Sequence, residues 1–325
     1  MCHGLCRTHP RRMILVRRRS RPLFQRLWKP WFVYRPVQLV RRIFVGLQTK
    51  SFGFAPLRTS WGADVIAHPS RTIGRSILTT GLYDLAVSEA LFRLITPGET
   101  VVDAGANIGY MTVLASIASG PGGRVVSFEP HPDLFAILEQ NIQTVRREWA
   151  SAGVEAHQAA LGERSGVADL QLPADFETND GIASLGQVAA SGGRSVRVRV
   201  ATLDEVIGQS PVGLLKLDVE GFEPQVLKGW ERAIASRRVK HIVFEDHSIA
   251  ESEVVRILTA AGYRLFSLGW SMRGPVVKPV DVGSLATRYE APNFVATLHP
   301  DEMLARFRPR GWRALRCQTR RHTGS

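Results

Sequence analysis

The amino-acid sequence predicts an α/β fold built on a doubly wound, mostly parallel sheet. Strand-like and helix-like segments alternate from residue 100 onward, at the spacing of strand–helix–strand units. A glycine-containing turn joins the first of these strands to its helix, and two later strands end in carboxylates. With 325 residues, 44% of them apolar, the chain can form one large domain with extensions or two small domains.

The part of the chain before residue 100 carries weaker signals. Residues 1–50 show little periodic order. Short β-like pieces broken by glycine and proline follow at 64–67 and 76–80. A helix is predicted over 85–95, because apolar residues recur along one face and a Thr-Pro-Gly sequence stops it.

From residue 100, each predicted strand is short and apolar, and each predicted helix has an apolar face and a start or stop signal. A glycine-rich segment ends the first of these helices, and Pro132 and Pro224 stand at the starts of two others. We predict strands at 100–103, 124–129, 154–160, 212–218, 241–245, 263–268 and 293–298. We predict helices at 108–119, 132–145, 203–207, 223–235 and 249–261.

Residues 161–200 interrupt this alternation. They contain six glycines and two strand-like pieces, at 167–172 and 195–200, where a crossover helix would otherwise be expected. We interpret this region as an inserted hairpin or loop that shapes the binding pocket.

The net charge of +13 is concentrated at the two ends of the chain. Residues 1–50 hold 13 Lys or Arg and no acid, and residues 301–325 hold 7 Arg and 2 acids. The middle has 22 basic and 27 acidic residues and is therefore slightly negative. We predict three parts: a basic, partly disordered or membrane-peripheral extension (1–50), a folded domain (51–300) and a basic C-terminal tail (301–325).

A basic tail is either solvated, attached to an anionic membrane surface, or bound to nucleic acid. The first tail favours a membrane surface over nucleic acid, because it mixes arginines with Trp28, Trp31, Phe32 and Tyr34, which suit the lipid interface. Charges interrupt each apolar run before it reaches the length of a spanning helix, and the start is a poor signal peptide.

All three cysteines, Cys2, Cys6 and Cys317, lie in the basic ends. This placement argues against a disulfide framework or a structural zinc site and is typical of a reducing cytosol. We expect a cytoplasmic protein that is peripheral to the membrane if residues 1–50 bind lipid.

The first motif is the turn from Asp103 to Gly109, at the carboxyl edge of the predicted sheet, where open α/β folds bind ligands. Gly105 allows a sharp turn against which a ligand can lie, and Gly109 allows close helix packing. Asp103 can hold the turn or balance a cationic ligand. Asn107 stands where the dinucleotide fingerprint requires glycine for a pyrophosphate, so a ligand without phosphate is favoured. The alternative is a plain strand–turn–helix corner.

Glu129 ends the next strand, 26 residues after Asp103. A carboxylate at this place can accept hydrogen bonds from both ribose hydroxyls of an adenosyl group. Its alternative role is an N-terminal charge for the following helix. The glycine turn at a suitable distance favours the ligand role.

The third motif ends the strand at 212–218. Asp218 and Glu220 are two residues apart, so on an extended chain their side chains point the same way. One could accept a proton from a substrate hydroxyl or hydrogen-bond a cofactor. The pair could also hold a divalent metal with Glu245 or Asp246, which end the neighbouring strand. A helix-capping acid is the alternative.

With these motifs, the chain resembles the FkbM family of methyltransferases over about residues 75–298. The matching segments are VDAGANIGY (102–110), FEP (128–130), ALG (160–162), ASL (183–185), TLD (202–204), LKLDVEG (215–221) and VFE (243–245).

The resemblance implies a class I methyltransferase (Rossmann-like) fold: seven strands with an antiparallel strand near one edge, and a cofactor core at about 84–298. It implies S-adenosyl-L-methionine as cofactor, contacted by Gly105, Asn107 and Glu129, with Asp218 between cofactor and acceptor. It also implies O-methylation of a hydroxyl on a sugar, a polyketide or another small-molecule or glycan acceptor.

Two other functions remain open from the residues alone. A nicotinamide-dependent oxidoreductase would share the acid at Glu129, but Asn107 disfavours it. A non-catalytic, membrane-attached binding module would account for the basic ends, whereas the carboxylates Asp218, Glu220 and Glu245 favour an enzyme.

Overall fold

The computed structural model describes residues 53–173, 193–246, 249–280 and 293–318, together with positions 30, 176 and 184–185. The strands are β1 (Ala55–Arg58), β2 (Asp64–Ala67), β3 (Thr100–Ala104), β4 (Arg124–Phe128), β5 (Gly153–His157), β6 (Ala160–Leu161), β7 (Gly166–Leu172), β8 (Ser184–Leu185), β9 (Arg194–Ala201), β10 (Val212–Leu217), β11 (Val239–Glu245), β12 (Arg264–Ser271), β13 (Gly274–Pro279) and β14 (Asn293–Thr297). The helices are α1 (Thr72–Thr80), α2 (Leu85–Leu94), α3 (Tyr110–Ser119), α4 (Pro132–Glu148), α5 (Leu203–Val206), α6 (Glu223–Lys228), α7 (Glu231–Ala235), α8 (Glu253–Ala260) and α9 (Pro300–Phe307).

The main sheet has the strand order β13-β12-β14-β11-β10-β3-β4-β5. Strands β5, β4, β3, β10 and β11 are parallel, whereas β14 is antiparallel to both β11 and β12. The predicted doubly wound sheet with an antiparallel strand near one edge is therefore confirmed. The sheet has eight strands rather than seven, because a two-residue turn after Ser271 leads into β13, which pairs back along β12.

Two apolar cores lie on opposite faces of this sheet. Neighbouring residues of one strand belong to different cores, as Val101 and Val102 of β3 show. All six residues of β10 are buried, which is expected for a central strand of a parallel sheet covered by helices on both faces.

The region from 161 to 200 contains the expected hairpin. Strand β7 pairs antiparallel with β9 along its whole length, and β6 pairs parallel with the end of β9. This small second sheet stands between β5 and β10 in the chain, where a crossover helix was missing from the sequence pattern.

Four predicted elements differ from the structure. The strand predicted at 154–160 is divided into β5, which belongs to the main sheet, and β6, which belongs to the second sheet. The piece at 76–80 is the second half of α1, because Ile73 and Ile77 share one buried helical face and Gly81 ends the helix in the left-handed conformation. The helix at 223–235 is divided at Gly229, where a Cβ would lie 2.1 Å from the Gly162 carbonyl oxygen. The helix at 249–261 is divided at Ser252, whose hydroxyl caps α8.

The described part of the segment set apart as a tail (301–325) packs against the domain. Helix α9 is followed by an irregular strap, residues 308–318, in which Trp312, Ala314 and Leu315 are buried. The fully buried ion pair of Glu89 and Arg93, 2.6 Å long, holds this strap. Glu89 accepts a hydrogen bond from the backbone N–H of Ala314, and Arg93 donates to the carbonyl of Gly311.

The predictions for residues 1–50 lie outside the described residues. Within the described ranges, none of the helices combines the length and the apolar character needed to cross a bilayer.

The strap leads to a stability prediction. Trp312→Ala should lower the free energy of unfolding by about 3–5 kcal/mol, because it leaves a cavity in the core. The exposed Arg310→Ala should change it by less than about 0.5 kcal/mol. Urea unfolding followed by circular dichroism measures both. Equal, small effects would mean that the strap does not belong to the folded core.

Candidate functional site

An open cleft lies at the carboxyl edge of the main sheet, where β3, β4, β10 and β11 end. Its free volume, counting the solvent at its mouth, is about 1170 Å³. Six of the eight site residues predicted from the sequence line this cleft: Gly105, Asn107, Glu129, Asp218, Glu220 and Glu245.

The turn after β3 is a tight corner that only glycine can form at position 105. Gly105 has a φ of +78°, and a Cβ there would lie 1.8 Å from the carbonyl oxygen of Asp218. The glycine is thus required by the backbone of β10 as well as by the turn. Asn107 is also left-handed, with a φ of +52°, and its side-chain oxygen accepts from the N–H of Ile108 at 2.7 Å.

Glu129 faces this corner from the end of β4. Its Oε2 accepts a hydrogen bond from the backbone N–H of Asn107 at 2.8 Å, and its Oε1 accepts from that of His131 at 2.9 Å. Each carboxylate oxygen has two acceptor positions, so both retain capacity for a ligand donor. Burial raises the pKa of Glu129 to about 7, although the two backbone donors and the charge of Lys216 act to lower it.

Asp103 and Gly109, both predicted to bind cofactor, are not among the residues that line the cleft. Asp103 is turned beneath the corner, where its Oδ2 accepts from the hydroxyl of Thr112 at 2.6 Å. At Gly109 a Cβ would lie 2.6 Å from Leu138, so the glycine lets α3 and α4 pack closely. Asp103 therefore holds the turn, and Gly109 has the packing role.

The end of β10 presents carboxylates with different surroundings. Asp218 is 38% exposed and lies 3.3 Å from the ammonium of Lys216. Glu220 is accessible to solvent, and partial desolvation with the charges of Asp218 and Glu245 raises its pKa to about 7. Glu223 is turned inward, where it accepts from the N–H groups of Val219 and Gly221 and holds the turn.

Lys216, Tyr83, Asp84 and Asn293 also line the cleft, and the sequence analysis did not assign a role to them. Lys216 was detectable, because it lies two residues before Asp218 on the same face of a strand. Asn293 begins β14, which is antiparallel and therefore starts at the edge where the parallel strands end. Tyr83 and Asp84 precede α2, and no sequence motif marks them.

The pair of Asp84 and Asn293 closes the side of the cleft away from Glu129. Asp84 caps α2 by accepting from the N–H of Val87, and its other oxygen accepts from the Asn293 amide at 3.0 Å. Burial raises the pKa of Asp84 and also that of Tyr83, and the nearby carboxylates, Asp218 among them, add to the rise at Tyr83.

Backbone strain is concentrated at this cleft. Of the four non-glycine residues with positive φ in the described part of the chain, Asp84, Asn107 and Glu220 line it. Strained residues of this kind persist where the surrounding structure holds them, and they cluster at functional sites.

The inserted region contributes apolar wall to the cleft through Leu161 and Leu170, while Ile73 and Val87 come from α1 and α2. The metal alternative finds no support in these contacts: among the described residues no three potential ligands come together. Asp246 instead accepts a hydrogen bond from Ser252, which caps α8.

The arrangement can therefore hold a ligand that donates hydrogen bonds to Glu129, and it offers carboxylates at the end of β10 that can take up a proton. Glu129, which can bind the ligand, and the carboxylates that can take up a proton lie on neighbouring sides of one cleft, on either side of Gly105.

The sequence model of a known family, the Methyltransferase FkbM domain, matches residues 103–265. The chain is 30% identical over 225 residues to the 31-O-demethyl-FK506 methyltransferase FkbM of Streptomyces tacrolimicus. The alignment covers 61% of this chain and 83% of that protein. The chain is 28% identical over 186 residues to the hexuronic acid methyltransferase AglP of Haloferax volcanii. This alignment covers 55% of this chain and 70% of that protein. The solved structure of the methyltransferase FkbM of Methylobacillus flagellatus has a TM-score of 0.41 and 17% identity, over 65% of this chain and 50% of that one.

The raised pKa of Glu129 predicts how the stability of the ligand-free protein depends on pH. Between its ordinary value of 4.5 and about 7 the folded state binds more protons than the unfolded state, so this group's stabilising contribution is present at low pH and is lost as the pH rises. The glutamine in Glu129→Gln does not titrate, so this contribution to the pH dependence of stability is removed. Only the loss of hydrogen-bond energy remains, and it does not change with pH.

The unfolding free energy of Glu129→Gln minus that of the wild type should therefore increase by roughly 1–3 kcal/mol from pH 5 to pH 8. Urea unfolding at both pH values measures it. A difference that stays constant with pH would contradict the buried, protonatable state of Glu129.

Proposed function

The chain belongs to the FkbM family of methyltransferases, and from this premise we propose that it transfers the methyl group of S-adenosyl-L-methionine to a hydroxyl oxygen of a sugar, polyketide or other small-molecule or glycan acceptor. The observation that carries the proposal is the Glu129 carboxylate, held towards the cleft by the backbone of the glycine corner at Asn107.

The residues of the cleft fit the cofactor. An adenosyl group brings ribose hydroxyls, which donate hydrogen bonds, and Glu129 has free acceptor positions on both oxygens. The buried side chains of Leu134, Leu161 and Leu170 supply apolar wall for a base. Gly105, Asn107 and Glu129 would hold the group on this side, with Asp218 towards the acceptor.

When bound, the cofactor supplies a methyl group that its positive sulfur already activates. The chain's own residues must then align the acceptor hydroxyl, keep water away and receive a proton. Aligning two reactants removes much of the entropic part of a barrier, so a rigid cleft edge is suited to this reaction.

Glu220 is the best candidate for the proton acceptor among Asp218, Glu220 and Glu245. A general base works best when its pKa is near the working pH, and that of Glu220 is about 7. Its exposure lets the proton pass on to solvent. Asp218, which lies beside the Lys216 ammonium, would orient the hydroxyl, while Glu245 adds negative charge.

The charge of the acceptor side favours a neutral or cationic acceptor. Asp84, Asp218, Glu220 and Glu245 all line the cleft, and Lys216, the cation among the described lining residues, already contacts Asp218. An acceptor carrying a carboxylate would be repelled here. The relative from Haloferax volcanii is named for a hexuronic acid, so this chain would differ from it in acceptor.

A membrane-peripheral, cytoplasmic location remains part of the proposal and rests on the composition of residues 1–50 alone. Pelleting with anionic liposomes, with and without residues 1–50, tests it. The rival of a nicotinamide-dependent oxidoreductase is disfavoured by the Asn107 side chain, which stands where a pyrophosphate needs glycine.

Titration calorimetry with S-adenosylhomocysteine tests the cofactor part. We expect saturable binding that releases protons near pH 7, because ribose hydroxyls favour the ionised form of Glu129 and lower its pKa from about 7. The apparent heat should therefore depend on the ionisation enthalpy of the buffer.

Glu129→Gln should abolish this buffer dependence and weaken binding by about 1–3 kcal/mol. Glu231→Gln, an exposed glutamate outside the cleft lining, serves as control and should retain both. Binding of NAD with no heat from S-adenosylhomocysteine would favour the oxidoreductase instead.

Incubation with radiolabelled S-adenosyl-L-methionine and a lysate metabolite pool tests the acceptor part. We expect the label in neutral or cationic products, in a form stable to mild base as an ether is. Glu220→Gln should slow the labelling by about 10²–10⁴-fold at neutral pH, as for loss of a general base. Label found only in anionic products would refute the charge argument.

A further inference from the structure

Among the described residues that line the cleft, Lys216 is the buried cation, and it contacts both sides of the site. The residue is 6% exposed. Its ammonium donates to the carbonyl oxygen of Gly105 at 2.7 Å and to that of Ala104 at 3.3 Å. It also lies 3.3 Å from Asp218 Oδ2 and 3.5 Å from Asp103 Oδ1.

The sheet register brings these groups together. Lys216 on β10 is the direct partner of Asp103 on β3, and it shares a strand face with Asp218, two residues further on. The other oxygen of Asp103 accepts from Thr112 on α3. A chain of polar contacts therefore runs from α3 through Asp103 and Lys216 to Asp218 in the cleft.

Burial alone would lower the pKa of Lys216, but the charges of Asp218 and Asp103 outweigh it, and the pKa is raised. The ammonium thus stays charged at neutral pH. It is the source of positive charge for a carboxylate that also faces Glu220 and Glu245.

Asp218 is the nearer of the two carboxylates beside the ammonium, at 3.3 Å against 3.5 Å for Asp103. Two backbone carbonyls accept from the ammonium, which leaves its third donor for a carboxylate, and Asp103 Oδ1 has no hydrogen-bond partner. Asp218, at 38% exposure, could be solvated by water alone. A contact that Asp218 does not require for its own solvation is explained if it holds the side chain of Asp218 in place.

We propose that Lys216 is a positioning residue: its ammonium links the glycine corner to Asp218 and fixes the Asp218 carboxylate at the boundary between the cofactor and acceptor sides. The inference rests on the proposed function, because it concerns how Asp218 meets the cofactor.

A double-mutant cycle read by S-adenosylhomocysteine calorimetry tests the proposal without an acceptor. Lys216→Met alone would leave Asp103 as an unpaired buried charge and could unfold the protein. The reference background is therefore Asp103→Asn, which removes that charge and can still accept from Thr112. Lys216→Met is then measured in this background with and without Asp218→Asn, after circular dichroism confirms folding.

We expect Lys216→Met to weaken binding by about tenfold or more when Asp218 is present, and by less than about twofold when Asp218 is already Asn, because residues in contact are not additive. An equal loss in both backgrounds, or no loss in either, would overturn the proposal. Lys240→Met is the matched control: this lysine pairs with Glu99 at the opposite edge of the sheet, so affinity should be unchanged.

The pH profile of binding gives a second readout that a merely structural lysine would not move. The charge of Lys216 lowers the pKa of Glu129, whereas burial and the charge of Asp103 raise it. Affinity for S-adenosylhomocysteine should decline as the pH is lowered and Glu129 becomes protonated. In the Asp103→Asn background, removal of Lys216 should shift this decline to higher pH. An unchanged profile would contradict the proposed role of Lys216. Wild-type protein that binds no S-adenosylhomocysteine would overturn the proposed function itself, which separates the two failures.

Discussion

The site depends on one backbone contact, between Gly105 after β3 and the carbonyl of Asp218 after β10. A Cβ at residue 105 would lie 1.8 Å from that oxygen, so two strand ends meet with no space for a side chain. This contact places the corner that holds Glu129 beside the strand end that carries Asp218 and Glu220. The proposed cofactor and acceptor sides therefore lie on adjacent strands of one sheet, and their alignment does not require a mobile element.

The same closeness forces an unusual concentration of charge into a poorly solvated space. Glu129 is held by two backbone N–H groups, whereas Asp103 and Asp218 share the ammonium of Lys216. Charges buried in this way are stable only when each has hydrogen-bond partners. A ligand with donor groups would add partners for Glu129, so the protein is arranged to gain stability when the cleft is filled.

The sequence was sufficient for the parallel part of the sheet and for the placement of the glycine turn and Glu129 at its edge, because both leave local patterns. Alternating apolar strands and helices predict β3 to β5, β10 and β11, and the glycine turn with Glu129 follows directly from that order. The seven-strand expectation missed β13, whose pairing depends on a short turn after β12. The roles of Tyr83, Asp84 and Asn293 could not be read, because they come together only through the packing of α2 and β14 on the sheet. Asp103 was placed with the ligand because sequence spacing does not reveal on which side of a turn a side chain lies.

Part of the proposed acceptor side comes from residues outside the family match at 103–265. Ile73, Tyr83 and Asp84 precede it and Asn293 follows it, yet all line the cleft. Helix α2, which begins at the Asp84 cap, is fastened to the C-terminal strap by the buried pair of Glu89 and Arg93. The strap therefore holds in place the helix that carries part of the proposed acceptor wall. Its basic composition alone does not indicate this structural role. Because Ile73, Tyr83, Asp84 and Asn293 come from flanking segments, this part of the proposed acceptor wall can differ between proteins without disturbing the contact between Gly105 and Asp218.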